Sequence, residues 1–377
     1  EKSNDTFEDY GLFTQVEQLN KTALKAHGLD KNGHLYKVNN FEFYRYEDTI
    51  KLADDPDYNQ ANFEGMLEIK GDSDHTKLIE MLDALNDESQ KIDDVLDTYF
   101  DTENLVYWLA FQILTGNCDT QNRNCYLYSP LNSNTWYFLD WDNDGMLRKL
   151  ELSLKGFSDY ASWERGVSNY WGNVLFNRAL RSKSFRSELD RAVKDLRSYL
   201  TEERLAKMIK HYREVTESLV FASPDIDNLP VTKDQYEQIA AAIPSEIEEN
   251  YKSYRESYKK PMPFYIGVPQ IDNGKLRMNW DAAYDFEARD IRYTVELARD
   301  YAISDVLFKA EDVLLPEVTC DAPGVGQYFV RVRATSSDGY TQDAFDCYVT
   351  DDGKQYSMKC FYVQDGGKIV EDTYEEG

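Results

Sequence analysis

Residues 119 to 142 hold the side chains whose types and order best suit chemistry. Asp119 is followed, after four intervening residues, by Asn124. A run of β-formers from Cys125 to Tyr128, a polar turn and a second run from Trp136 to Leu139 then lead to Asp142. In phosphoryl transfer one carboxylate orients the attacking hydroxyl, while an amide and a second carboxylate hold the divalent ions that bridge the phosphates. The protein's part in such chemistry is mostly positioning and charge neutralisation, so one rigid hairpin carrying three such groups supplies much of it. Asp140 and Asp144 flank Asp142 and are candidates for the same metal shell.

The same carboxylates fit a second pattern. Asp140, Asp142, Asp144, Gly145 and Glu151 match the calcium loop Asp-x-Asp-x-Asp-Gly-x5-Glu of an EF-hand. That loop needs a helix on each side, whereas Thr135 to Leu139 is rich in β-formers. Only one such loop occurs, and EF-hands usually pair. The hairpin reading is therefore favoured, with a calcium site at 140–151 as the alternative. Asp119 and Asn124 are also ordinary turn residues, and what separates them from a plain turn is the hairpin and Asp142 that follow.

Composition narrows the field. The 377 residues carry 69 acidic and 42 basic side chains, a formal charge of −27. Such a surface repels nucleic acid and anionic membranes, so nucleic-acid binding is excluded as a leading function. Hydrophobic residues at 42% and aromatics at 14% are ample for packed cores. Five Cys without a CxxC spacing give no metal or redox motif, and the odd count argues against a disulfide framework. No apolar run reaches the ~18 residues of a bilayer span. The four His are scattered, and neither Gly-x-Ser-x-Gly nor His-Glu-x-x-His occurs, which disfavours hydrolases.

The elements that must position these groups follow from periodicity and punctuation. Residues 10–19 read as a strand running into a helix over 20–26, closed by Gly28, with a short strand at His34–Val38. A helix over 74–86 puts Leu78, Met81, Leu82 and Leu85 on one face. Asp101 starts a mostly apolar helix that Gly116 stops. Amphipathic helices fill 172–222, one starting at Thr201, and a last helix covers 233–258 with an interruption at Pro244. Beyond the basic, Pro-bearing linker 259–263 the texture turns to alternation, with strands at 275–280, 291–297 and 327–334. That spacing indicates a β-sandwich.

Four segments together resemble the spore-coat protein H (CotH) kinase family: Tyr10 to Glu17, Gly33 to Lys37, Gly116 to Tyr128, and Trp136 to Asp142. The likeness covers roughly residues 7 to 225, and the last domain looks like a fibronectin type III module. The resemblance implies an atypical kinase that moves phosphate from ATP to protein Ser or Thr hydroxyls. On it, Asp119 matches the catalytic Asp, Asn124 the metal-binding Asn and Asp142 the second metal-binding Asp. Trp136 matches an aromatic that stacks on adenine, although plain core packing fits it equally well. Glu17 and Lys37 match recurrent positions that are assigned to the nucleotide site without a fixed role. The family carries a further segment, with an Arg/Gly/Ser-rich turn and a phosphate-binding Lys, before the first match. Nothing here matches it, so this chain is expected to begin inside the small lobe and to lack part of the ATP site.

The expected fold class is therefore α+β: an atypical protein-kinase-like catalytic domain with an incomplete small lobe over 1–260, then an all-β fibronectin-III-like sandwich over 261–350. Residues 351–377 form a β extension and acidic tail. The expected activity is Mg²⁺- or Mn²⁺-dependent phosphorylation of protein Ser/Thr, with ATP as substrate. The expected partners are that acceptor protein and an envelope or coat component bound through the sandwich, at a surface or coat location. The alternative class is a catalytically silent binding protein.

Overall fold

The computed structural model describes residues 2–3, 6–7, 9–156, 161–350 and 353–372. The chain divides into two compact units, 1–158 with 173–251, and 159–172 with 252–377.

The first unit is mainly helical around a four-stranded sheet, with a two-stranded ladder Lys2–Ser3/Thr6–Phe7 near its start. Four antiparallel strands run in the order Leu67–Ile69, His34–Val38, Cys125–Ser129, Tyr137–Asp140. One face packs Leu35, Tyr126 and Tyr128 against Leu24 of the short helix Lys21–Ala26. That helix begins, as its sequence implies, at Asn20, whose Oδ1 accepts from the backbone N of Thr22 and Ala23. The other face meets the helix Thr102–Thr115 through Phe138, whose ring centroid lies 4.9 Å from that of Trp108. The expected start and stop of this helix are both present. Asp101 caps Asn104 N at 2.9 Å, and Gly116 takes the left-handed conformation at φ 67°.

The expected strand at 10–19 does not form: no residue of 9–19 joins a ladder. Its amides find side chains instead, Gly11 N donating to Asp9 and Leu12 N to Asp225. Alternation without a neighbouring strand to pair with leaves an extended segment and nothing more. The interruption at Pro244 is likewise absent, and one helix runs Lys233–Ser257 through it. Proline removes one helical hydrogen bond, and here buried Glu246, Ile247, Asn250 and Tyr254 hold the turns that follow.

Next to the sheet, His75 is fully buried. Its Nδ1 pairs with Tyr36 Oη at 2.9 Å and its Nε2 with Tyr58 Oη at 3.2 Å, and its ring stacks on Phe63 at 4.1 Å. Burial pulls the pKa of His75, and that of nearby His34, below the usual imidazole value. The unfolded chain protonates these rings near pH 6.5 and the folded chain only at lower pH. Their contribution is therefore complete above about pH 6.5 and is lost as pH falls through the folded values. The urea midpoint is expected to drop between pH 7.5 and 5.5, with a shallower slope in His75→Phe. An unchanged slope would mean that His75 does not stay neutral.

The second unit is built from antiparallel sheets. One has the order Glu317–Asp321, Lys275–Asn279, Gln270–Asp272. A larger one has the order Val306–Val313, Ile291–Ala298, Gly326–Ser336, Met358–Val363, Ile369–Glu371, with Thr341–Asp343 added to Gly326–Ser336. Alternating inward residues such as Leu276, Met278, Val295, Leu297, Val330 and Val332 form one core with Trp280 and Tyr293. The large sheet continues past residue 350, while 351–352 and the tail 373–377 lie outside the described residues. The five Cys are all free thiols. Among the described residues no helix is long and apolar enough to cross a membrane.

Candidate active site

The hairpin Cys125–Ser129/Tyr137–Asp140 carries the site at its open end. Its last ladder pair is Cys125↔Asp140, so Asn124 just precedes the pair on one strand and Asp142 just follows it on the other. Both adopt the left-handed backbone, Asn124 at φ 59° and Asp142 at φ 56°. Asn and Asp are the non-glycine residues that tolerate this conformation best. Asn124 Nδ2 donates to Asp119 Oδ2 at 2.9 Å, which leaves the amide oxygen, the only atom Asn offers a metal, uncommitted to that bond. Asp119 is otherwise exposed, with Arg123 Nε at 3.8 Å from Oδ1.

The closed end of the hairpin is pinned from outside. Lys77, on the helix Thr76–Asn86, donates to Pro130 O and Ser133 O at 2.7 Å each. Lys77→Met leaves those carbonyls without their donor and is expected to weaken the hairpin by about 1–3 kcal/mol. Faster amide exchange over Tyr126 to Ser129 is the readout, and wild-type protection would show that the turn holds itself.

Asp119 is fixed from below by buried amides. After Gly116 the chain turns back, with Asn117 N bonded to Gln112 O and Gly116 N to Ile113 O. This Schellman turn brings the buried Asn117 side chain against the helix it has just left. Asn117 Nδ2 donates to Gln112 Oε1 at 3.0 Å, and Asp119 N donates to Asn117 Oδ1 at 3.4 Å. Gln112 Nε2 donates in turn to Asp140 Oδ1 at 2.8 Å. A chain of hydrogen bonds thus links the end of the second strand to the backbone of Asp119.

The turn after Asp142 closes on the same point. A Cβ at Gly145 would lie 2.5 Å from Asn117 Oδ1 and 3.6 Å from Asp119 Cβ, so only glycine permits this approach. Leu147 N donates to Thr115 O at 2.8 Å and ties the loop to the helix end. Buried Glu246 then accepts from the backbone N of Lys149 and Leu150 at the start of the helix Lys149–Leu154.

The sequence-predicted residues are thus only partly brought together. Asp119 and Asn124 meet through their hydrogen bond at the hairpin mouth, while Asp142 and Asp144 lie exposed in the turn after the second strand. Asp140 departs from its expected role as a metal ligand. Its residue surface is exposed, yet its carboxyl is desolvated and hydrogen-bonded to Gln112, and burial pushes its pKa up. The hydrogen-bond geometry decides in favour of an inward-facing anchor. Trp136 is 1% exposed, packed beside His34 and Tyr36, so its ring has no free face for adenine. Glu17 pairs with His27 at 2.8 Å rather than with a lysine. Lys37 Nζ sits 5.7 Å from the Trp141 ring centroid, beside the loop that bears Asp142.

The EF-hand geometry is absent. The element before the loop is the strand Tyr137–Asp140, and Glu151 is bound to Arg148 at 2.9 Å and Lys155 at 2.6 Å. Those bonds turn the twelfth-position carboxylate to its own helix. Among the described residues no group of three or more His, Cys, Asp or Glu forms a metal cage. The candidate cation donors are one amide and the hairpin-end carboxylates.

Sequence reasoning missed Gln112 and Asn117, and read Gly145 only as part of the calcium-loop pattern. A polar Gln inside an otherwise apolar helix was the available signal, since a buried amide must find partners.

A comparison with curated proteins returns no match. Among solved structures the chain is similar to "Structure of surface layer protein SbsC, domains 1-6", at 10% identity and TM-score 0.15, over 81% of this chain and 40% of that one. A TM-score that low carries no argument about fold, and the chain spans well under half of that protein. Residues 2–254, more than half of the 377, match the family model described as CotH kinase protein, and the chain belongs to that family.

Proposed function

We propose that this chain transfers the γ-phosphoryl group of ATP to Ser or Thr hydroxyls of a protein, with Mg²⁺ or Mn²⁺ as the ion. The observation that carries this reading is the Asn124–Asp119 hydrogen bond at 2.9 Å, at the mouth of a hairpin whose other strand leads directly into Asp142. Asp119 accepts the hydroxyl proton as the hydroxyl oxygen attacks γ-phosphorus. The bond from γ-phosphorus to the bridging oxygen breaks, and ADP leaves. Asn124 Oδ1 and the carboxylates of Asp142 and Asp144 are hard oxygen donors that suit a small divalent cation. When bound, that ion neutralises charge on the β- and γ-phosphates.

The catalytically silent reading keeps one specific support. Trp136, Glu17 and Lys37 are engaged with His34 and Tyr36, His27 and Trp141 and make no joint nucleotide cradle. In that reading the second unit does the work. Its sheet orders, with three strands in one sheet and Val306–Val313, Ile291–Ala298, Gly326–Ser336 and Met358–Val363 adjacent in the other, support a fibronectin-III-like sandwich. Such a module would hold an envelope or coat partner, and family membership supports a coat or surface location.

Labelling of a basic acceptor protein from γ-radiolabelled ATP and Mn²⁺ separates the readings. Transfer by wild type that Asp119→Asn abolishes supports the kinase. Equal absence of labelling in both, with no Mn²⁺ bound at the hairpin, supports the silent protein.

A further inference from the structure

We infer that the helix Glu202–Val220 of the first unit is a docking surface for an acidic amphipathic helix of a partner protein. This inference is independent of phosphoryl transfer. Of the helix's 19 residues only Leu205 is buried. One side of it faces the helix Lys233–Ser257, where Arg213 binds Glu237 at 2.6 Å and Ala206, Ile209, Ala240 and Ala241 line a common groove. Among the described residues the opposite side has no such partner. There Met208, Tyr212, Val215 and Leu219 recur at steps of four, three and four residues and are 41%, 62%, 61% and 48% exposed. Those steps make one straight apolar stripe, the seam that a second helix packs into.

Charge selects the occupant. Arg204, Lys207 and His211 flank the stripe on its N-terminal half and line a groove of about 640 Å³ with Tyr199. The Arg204 guanidinium lies 3.5 Å from the Tyr199 ring centroid, which holds it flat at the groove wall. Lys210 and Arg213, on the other side of the helix, have carboxylate partners in Glu214, Glu217 and Glu237. Arg204 and Lys207 have no ion pair with a carboxylate among the described residues, although Glu203 also lines the groove. On a chain of net −27, a cationic border along an open apolar seam fits an amphipathic helix with Glu or Asp beside its apolar residues. Charges elsewhere on the surface are screened beyond about 8 Å at physiological salt, so the contact cations dominate. A second copy would instead set the same Arg204 and Lys207 border against its own, like charge facing like.

The test uses the full chain and two fluorescein-labelled amphipathic peptides with the same Leu seam, one flanked by Glu and one by Lys. The Glu-flanked peptide is expected to bind more tightly by about tenfold or more, equivalent to ~1.4 kcal/mol, and to weaken as salt rises. Val215→Glu is expected to abolish binding. The double variant Arg204→Glu/Lys207→Glu is expected to reverse the preference towards the Lys-flanked peptide. All three sites are on the helix surface, and circular dichroism checks that the variants fold. Equal binding of both peptides, no binding of either, or a wild-type dimer that Val215→Glu converts to monomer would each overturn the inference. No nucleotide enters the measurement, so its failure leaves the kinase reading standing, and the reverse.

Discussion

Asp119→Asn is expected to lower phosphate transfer to a Ser/Thr acceptor by about 10²- to 10⁴-fold, the range for loss of a positioned general base. Mn²⁺ affinity is expected to stay within a few-fold, because an amide at 119 still bonds Asn124. Asp142→Ala is expected to give the complementary result, with Mn²⁺ binding and transfer lost together. The contrast follows from geometry. Asp119 holds Asn124 by its Nδ2, while Asp142 arrives from the other strand of the hairpin. Electron paramagnetic resonance of Mn²⁺ reads binding, and radiolabel transfer reads chemistry. Loss of Mn²⁺ binding in Asp119→Asn, with binding intact in Asp142→Ala, would exchange the two roles.

Gln112→Leu is expected to be nearly as damaging although Gln112 is fully buried and only supports the site. Leu matches its volume but bonds neither Asp140 Oδ1 nor Asn117 Nδ2. Leaving buried Asn117 short of a partner costs about 1–3 kcal/mol, and the exposed Asp140 loses its tie to the helix as well. A loosened Asn117 frees the backbone of Asp119, and a displacement of about 1 Å in a catalytic group costs ~10²-fold in rate. Transfer is expected to fall in kcat with KM for the acceptor little changed. Gln112→Glu supplies the diagnostic. It keeps an acceptor for Asn117 but sets a second carboxyl against Asp140, so one of the two must hold a proton. The folded state then binds more protons than the unfolded state, and stability rises as pH falls. Recovery of stability in Gln112→Glu relative to wild type from pH 8 to pH 5 supports the relay, and a difference from wild type that does not change with pH argues against it.

How much of this was legible in the sequence depends on whether the signal was local. Asp101 and Gly116 mark the ends of their helix because capping and left-handed turns are set within a few residues. The hairpin was legible for the same reason, since alternation, a polar turn and β-formers are short-range. Trp136 was not resolved, because a ring that fits adenine also fits a core, and only burial beside His34 and Tyr36 decides. Asp140 read as a metal ligand from its place beside Asp142. Its inward turn depends on Gln112, a residue 28 positions away. The strand expected at 10–19 needed a neighbour to pair with, and no local pattern reports one. Pro244 reads as a break from propensity alone, and packing of the turns beyond it overrides that.

The most direct test is a crystal structure of the chain with Mg²⁺ and a non-hydrolysable ATP analogue. An ion held by Asn124 Oδ1 and Asp142, each at about 2.0–2.1 Å, with Asp119 beside the γ-phosphate and Asp140 still bound to Gln112, is the predicted result. An ion ligated by Glu151 instead, or Asn124 and Asp142 turned away from a bound Mg²⁺–nucleotide, would contradict the account.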